Sequence, residues 1–230
     1  MSIVNIKGLT YNYGPKEVLR GLDMTLESGR VTGLLGPNGE GKTTLIKILS
    51  GLLQSYQGEV LIDGKQIGTA TKALVSYLPE KTYFNRFETI NSAIKLFSDF
   101  YEDFDKERAM ELAKQLELDP KQRIGSMSKG MQEKFQLVLI MSRRAKLYLL
   151  DEPLGGIDPI AREQVIDMIL KQYEPDSAIL LSTHLVHDVE HIFDDVMFLK
   201  DGKIVIHRQV DDIREEKGMS LEEYFREVYR

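Results

Sequence analysis

Residues 31–44 read VTGLLGPNGEGKTT, and this stretch decides the fold class of the chain. The apolar run 31–35 is typical of a buried strand, and an apolar helix is expected over 42–52. Between them, residues 36–43 match the pattern G-x-x-x-x-G-K-[ST] at every fixed position. Strand, glycine-rich loop and helix in this order begin a parallel α/β unit, so an α/β fold is predicted.

The glycine-rich loop has the chemistry of a phosphate-binding site. Its glycines let successive backbone N–H groups turn toward a phosphate, and the positive end of the following helix dipole points to the same place. We predict that Lys42 reaches the β- and γ-phosphates of a nucleotide, that Thr43 binds Mg²⁺, and that Thr44 adds a hydroxyl at the α-phosphate. The alternative is a loop that only connects a strand to a helix. The candidate nucleotide-binding residues are Gly36, Pro37, Asn38, Gly39, Glu40, Gly41, Lys42, Thr43 and Thr44.

A pair of acids ends a second apolar stretch, LYLLDEP at residues 147–153. Asp151, at a strand end beside the phosphate loop, can hold Mg²⁺ directly or through a water. Glu152 can polarise an attacking water, which indicates hydrolysis rather than phosphoryl transfer to an organic acceptor. The alternative is two solvated carboxylates at a strand end, and the complete phosphate loop upstream disfavours it.

Composition narrows the function classes. The 230 residues include no cysteine, which excludes disulfides, thiolate metal sites and cysteine catalysis. The net charge of −6 argues against nucleic acid as a partner, because binding a phosphate backbone needs a basic surface. The N-terminus lacks a signal-peptide pattern, and no apolar run approaches the ~20 residues of a membrane span. Work at a membrane would therefore go through another chain.

The pattern of apolar residues changes after the first strands. From about residue 82, apolar positions repeat at helical spacing, and Asp105 is a predicted helix cap. We predict one domain over residues 1–230. Its parts are a nucleotide-binding α/β core with an N-terminal antiparallel β part, over 1–81 and 141–230, and a helical subdomain over 82–140.

Six landmarks follow one another along nearly the whole chain. They are Tyr13-Gly14, GPNGEGKTT at 36–44, YLPE at 77–80, SKGMQ at 128–132, LLDEPLGGID at 149–158 and STH at 182–184. On these residues the chain resembles the ATP-binding subunit of ABC transporters. The YLPE and SKGMQ variants look most like subunits of bacterial drug, lantibiotic or peptide exporters. The resemblance implies a phosphate-loop NTPase core, ATP as substrate and Mg²⁺ as cofactor.

The resemblance also implies roles for residues outside the phosphate loop. Tyr13 would stack on adenine; the alternatives are Tyr11 in that role, or an edge-strand tyrosine at position 13 without a ligand. His184 would contact the γ-phosphate, with Glu152 as the catalytic carboxylate. Ser128 and Gly130 would contact the ATP held by a partner subunit. The loop that crosses to that subunit would contain Asp158.

The chain departs from the family pattern at Glu80 and in the signature segment, residues 127–131. This segment reads Met127-Ser128-Lys129-Gly130-Met131 where the family has roughly Leu-Ser-Gly-Gly-Gln, so only Ser128 and Gly130 are kept. Glu80 stands where the family usually has a glutamine that links Mg²⁺ and water to the membrane partner. Its carboxylate can still meet the metal and would favour a site loaded with Mg²⁺; the alternative is a surface glutamate. Lys129 stands where the signature segment usually has a glycine. A cation is mildly unfavourable at a helix start, but beside a nucleotide it becomes favourable.

The resemblance implies an ATPase that powers a membrane exporter by ATP-driven dimerisation. Its partners would be a second ATPase subunit, identical or different, and multi-span permease subunits reached through a groove near Glu80. Tyr83, Phe84 and Phe87 are candidates for lining that groove, and the alternative for these aromatics is ordinary packing. The subunit would be cytoplasmic, at the inner face of the membrane. The alternative function is a non-transport ABC ATPase of the iron–sulfur assembly, translation or repair type.

Overall fold

The structure is a computed structural model that describes residues 1–84, 89–172, 174 and 176–230. Its strands are β1 (Ser2–Tyr13), β2 (Lys16–Glu27), β3 (Val31–Leu35), β4 (Gln57–Ile62), β5 (Lys65–Gln66), β6 (Val75–Leu78), β7 (Leu147–Asp151), β8 (Ala178–Thr183), β9 (Asp195–Lys200) and β10 (Lys203–Gln209). Its helices are α1 (Lys42–Leu49), α2 (Thr69–Lys72), α3 (Ile90–Phe100), α4 (Lys106–Gln115), α5 (Lys129–Met141), α6 (Pro159–Gln172), α7 (Val186–Val189), α8 (Val210–Lys217) and α9 (Leu221–Val228).

A six-stranded sheet forms the centre of the fold, with strand order β10-β9-β3-β8-β7-β6. β3 pairs in parallel with both β8 and β9, and β7 pairs in parallel with β6 and β8. Every residue of β3, β7 and β8 is buried, which explains their continuous apolar runs. Because parallel strands end at the same edge, the segments that follow β3, β7 and β8 lie close together. The predicted α/β fold is confirmed.

The N-terminal antiparallel part is a four-stranded sheet in the order β2-β1-β4-β5. β1 lies between β2 and β4, so it is not an edge strand, and the alternative that Tyr13 belongs to an edge strand is wrong. Pairing of β1 with β4 ends at Thr10 and Gln57, however, and Tyr13 pairs only with Lys16 of the hairpin. The end of β1 therefore extends beyond β4 as part of the β1–β2 hairpin.

Between β6 and β7 the described residues form α3, α4 and α5. The predicted cap at Asp105 is confirmed, since its carboxylate accepts a hydrogen bond from the Arg108 N–H at 3.0 Å. The buried face of α3 carries the predicted helical spacing, with Ile90, Ile94 and Phe97 in the core. The division into a core and an 82–140 subdomain stays a prediction.

Arg143 joins the helical stretch to the central sheet. Its guanidinium bonds both carboxylate oxygens of Asp103, at 3.0 and 3.2 Å, and lies 4.0 Å from the ring centre of Tyr101. The same group donates to the carbonyls of Val75 at 2.6 Å and Ala73 at 3.0 Å. The Arg143 side chain is 4% exposed and that of Asp103 25%, so the ion pair is partly shielded from water and links the helices to the sheet.

Candidate active site

The phosphate loop joins the end of β3 to the start of α1. The helix begins at Lys42, with Gly41 before it at φ 110°. This left-handed backbone favours glycine, and a Cβ at the position would lie 2.9 Å from the Leu19 side chain. The predicted helix is shorter than expected, because it ends at Leu49 instead of residue 52.

Lys42 is 6% exposed and folds back onto its own loop. Its Nζ donates to the Gly36 carbonyl at 2.6 Å and to the Pro37 carbonyl at 3.1 Å. Burial lowers the pKa of Lys42, and the carboxylates of Glu152 and Asp151 oppose that shift. The ammonium thus lies between the loop carbonyls and the acid pair, with charge available for an anion.

The acid of β7 meets the first turn of α1. Asp151 Oδ1 accepts from Thr43 Oγ1 at 3.2 Å and from Ser182 Oγ at 2.6 Å. Its second oxygen, Oδ2, is buried and has no hydrogen-bond partner among the described residues. Burial raises the pKa of Asp151, while the bonds from Ser182 and Thr43 lower it.

Glu152 touches His184 across the ends of β7 and β8. The Nδ1 atom of His184 lies 2.9 Å from Glu152 Oε2. The Glu152 backbone is left-handed, with φ 52°, and its N–H donates to the Ser182 carbonyl at 3.0 Å. Such a conformation costs a non-glycine residue about 1–3 kcal/mol and is concentrated at functional sites. This turn directs the Glu152 side chain toward His184.

Lys42, Thr43, Glu152 and His184 line one cavity of about 670 Å³, and Asp151 lies behind Thr43, outside the lining. Tyr13 is on its wall and 47% exposed, while Tyr11 packs against the core beneath the N-terminal sheet. Of the two tyrosines weighed from sequence, the structure therefore brings Tyr13 to the site. The predicted residues that line the cavity are Tyr13, Asn38, Gly39, Gly41, Lys42, Thr43, Thr44, Glu80, Glu152 and His184. Lys129 also lines this cavity, within the same chain. Sequence reasoning missed the remaining lining residues, which are Lys16, Val18, Lys81, Thr82, Glu133, Gly155 and Gly156.

The signature segment forms the start of α5. Ser128 caps the helix, and its Oγ accepts from the Met131 N–H at 3.2 Å, as the sequence predicts for a helix start. Lys129 is 80% exposed and lies 3.6 Å from Glu133. Gly130 faces the Gly156 carbonyl. Asp158 caps the start of α6 through the Ala161 N–H at 3.1 Å.

A second, largely apolar cavity of about 750 Å³ lies between the central sheet and α3. Tyr83 lines it together with Leu96, Phe100 and Arg143. Phe84 does not line it: its ring is 4% exposed and packs 5.2 Å from Phe135 in the core, so that prediction is wrong. The rings of Tyr83 and Phe84 lie 5.3 Å apart between centres, with Tyr83 on the cavity side. Phe87, the third candidate, lies outside the described residues.

Comparison with known proteins identifies the family. The sequence family described as ABC transporter matches residues 19–155. The chain belongs to the ABC transporter ATP-binding family. The ABC transporter ATP-binding protein YtrB of Bacillus subtilis is 29% identical over 217 residues, 93% of this chain and 74% of the relative. The lantibiotic transport ATP-binding protein SrtF of Streptococcus pyogenes is 26% identical over 225 residues, which are 97% of this chain and 96% of the relative.

Solved structures agree with this assignment. An ATP-binding subunit of an ABC transporter superposes with a TM-score of 0.90 at 27% identity, over 99% of this chain and 100% of the other. This ABC ATP-binding subunit is accordingly an ATPase that binds ATP, and subunits of this family work with membrane permease components. Within the described ranges, no helix is both long and apolar enough to cross a membrane.

Proposed function

We propose that this subunit hydrolyses ATP with Glu152 as general base, and that two such subunits close around ATP to power a membrane exporter. The observation that carries the proposal is the 2.9 Å contact between Glu152 and His184, which line the same cavity as the phosphate loop. It brings a carboxylate and an imidazole to the place where a γ-phosphate would be attacked.

Nucleotide binding is assigned to the phosphate loop and Tyr13. The loop N–H groups and the α1 dipole attract phosphate oxygens, and Lys42 adds a positive charge at the same end. Tyr13 offers an exposed ring at the far wall of the cavity, where an adenine can stack. Asn38, Gly39 and Thr44 also line the wall and fit contacts along the phosphate chain.

Magnesium fits a site made by Thr43, Asp151 and Glu80. The Oδ2 atom of Asp151 is buried and has no hydrogen-bond partner among the described residues, so it can bind a cation or one of the cation's water ligands. In the described part of the chain, no group of three or more acidic or histidine side chains is arranged to hold a metal alone. Mg²⁺ typically takes one or two carboxylates together with substrate phosphates, so the donor set suits it. When bound, the ion would neutralise charge on the phosphate oxygens.

Hydrolysis proceeds by in-line attack of water on the γ-phosphorus. A proton passes from the water to a Glu152 carboxylate oxygen as the water oxygen bonds to phosphorus. The bond from phosphorus to the bridging oxygen breaks, and its electron pair leaves with ADP. His184 bonds Glu152 through Nδ1, and a ring protonated on both nitrogens can also offer its second N–H to a γ-phosphate oxygen.

The signature segment is assigned to the ATP of the partner subunit. The Ser128 hydroxyl already accepts a bond within its own helix, which leaves its hydrogen to donate to a phosphate oxygen. Gly130 adds a backbone N–H in the first turn of α5, and Lys129 adds an exposed charge. Asp158, in the loop after Glu152, would contact the partner. ATP would then join two half-sites, and hydrolysis would release the contact.

The apolar cavity beside α3 is the proposed docking site for the permease. Exposed side chains on its wall include Phe100 at 79% and Leu52 at 62%, an apolar surface typical of protein contacts. Docking there would place the subunit at the inner face of the membrane. The relative named for lantibiotic transport supports export, and the match to transporter subunits favours transport over the assembly, translation and repair roles.

Replacing Glu80 by glutamine tests the metal assignment. The Glu80 carboxylate acts electrostatically on both Asp151 and Lys42, so it adds negative charge where ATP phosphates would lie. We expect Glu80→Gln to tighten binding of metal-free ATP about three- to tenfold, while MgATP affinity changes less. Titration of a fluorescent ATP analogue with EDTA or Mg²⁺ measures both. Glu59→Gln, an exposed acid on β4, is the matched control, and an equal effect in both variants would refute a local role for Glu80.

A further inference from the structure

The C-terminal helix reaches the entrance of the phosphate loop. Tyr229 directly follows α9, and its hydroxyl oxygen lies 2.8 Å from the Leu199 carbonyl and 3.2 Å from the Leu35 carbonyl. Leu35 is the last residue of β3, and the next residue opens the loop. One hydroxyl hydrogen is thus placed between the loop's entry strand and β9.

The ring of Tyr229 is fixed by its surroundings. It packs 4.7 Å from Phe225 and 6.0 Å from Phe198, measured between ring centres. Lys200 lies over the ring at 5.7 Å and donates to the Val228 carbonyl at 2.8 Å. Burial raises the pKa of Tyr229, so the hydroxyl stays protonated at neutral pH and remains a donor.

The Tyr229 hydroxyl lies close to Gly36, the first residue of the phosphate loop. A Cβ at Gly36 would lie 2.7 Å from the Leu199 carbonyl and 3.3 Å from the Tyr229 hydroxyl. The other end of the loop contacts the turn between β9 and β10, where Glu40 accepts a hydrogen bond from the Asp201 N–H at 2.6 Å. Gly36 and Glu40 are not among the residues that line the cavity, so the loop is held at both ends by contacts outside it.

We propose that Tyr229 is a positioning residue, through which α9 holds the phosphate loop in the shape that binds nucleotide. The proposal rests on the proposed nucleotide site. A loop that is already ordered loses less conformational entropy when ATP binds, so a contact that orders it raises affinity without touching the ligand. Tyr229 acts on the backbone at Leu35, before the phosphates, so ATP and ADP should be affected alike.

The test removes one oxygen atom and keeps the ring. Tyr229→Phe is expected to raise the Kd for both ATP and ADP about three- to tenfold and to speed amide hydrogen exchange over residues 36–44. Tyr224→Phe is the matched control, because Tyr224 lies on α9 and packs on the same Phe198 ring, at 5.6 Å. Fluorescent nucleotide titration and exchange mass spectrometry read both variants.

A second measurement uses the unaltered chain. Coupling between two sites is reciprocal, so ATP must slow amide exchange in α9 if docking of α9 favours ATP. The proposal requires both results. It is overturned if Tyr229→Phe lowers only the melting temperature and leaves Kd unchanged, or if ATP leaves exchange in α9 unchanged. Lys42→Ala separates this from failure of the nucleotide site itself: unchanged affinity in that variant would overturn the phosphate-loop assignment instead.

Discussion

Glu152→Gln is expected to bind ATP with nearly unchanged affinity and to hydrolyse it about 10²- to 10⁴-fold more slowly. The amide has the size of the carboxylate and can keep a bond to His184, now 2.9 Å from Glu152, but it cannot accept a proton from water. Because the γ-phosphate then stays in place, the proposed ATP-bound dimer should accumulate. Phosphate release measures turnover, and light scattering measures mass.

Glu163→Gln provides the control, since Glu163 is an exposed acid on α6. Its turnover should match the parent chain. Parent-like turnover in Glu152→Gln would remove Glu152 as the base. Loss of ATP binding together with hydrolysis would instead mean that the left-handed turn at Glu152 had collapsed, and the variant's affinity distinguishes these results.

Lys42→Ala is expected to weaken ATP binding about ten- to a hundredfold. The buried ammonium holds the carbonyls of Gly36 and Pro37 and supplies charge beside the acid pair. Its loss removes both the attraction for phosphate and the donor that shapes the loop, and it leaves the acids uncompensated near an anion. Nucleotide titration measures the change for ATP and ADP.

Lys65→Ala is the matched control, because Lys65 is an exposed lysine on β5. Like Lys42→Ala, it removes one positive charge from the chain, and it should leave the affinity unaltered. If Lys42→Ala binds ATP as tightly as this control, the assignment of residues 36–43 as the phosphate site is wrong.

The features predicted from sequence are those that depend on neighbours along the chain. The phosphate loop is one continuous segment, and Ser128 and Asp105 each cap the helix that follows by accepting from the N–H three residues on. The acid pair is recognisable because a fully buried strand ends there. Each of these signals depends on local spacing, and the structure has the expected strands, loop and caps at these positions.

The features that sequence could not supply depend on contacts between distant residues. The bond between Asp151 and Ser182 joins strands 31 positions apart, and the Tyr229 bond to Leu35 spans 194. Phe84 illustrates the same point: its aromatic character was visible, but whether it faced the groove or the core depended on packing against Phe135, a distant residue along the chain. Side-chain direction in an irregular segment has no periodic pattern to predict it.

Mixing two inactive variants tests most directly whether one ATP site is built from two chains. Lys42→Ala spoils the phosphate loop, and Gly130→Asp places a negative charge where the partner's γ-phosphate would lie. A Cβ at position 130 would meet only the Gly156 carbonyl, at 3.4 Å, and a carboxylate is favourable in the first turn of α5. The Gly130→Asp chain should therefore still fold. In a symmetric dimer, an equal mixture should recover about a quarter of the parent ATPase rate, because half of the dimers hold one intact site. A mixture as inactive as each variant alone, while Gly130→Asp still binds ATP, would contradict a site shared between two copies of this chain.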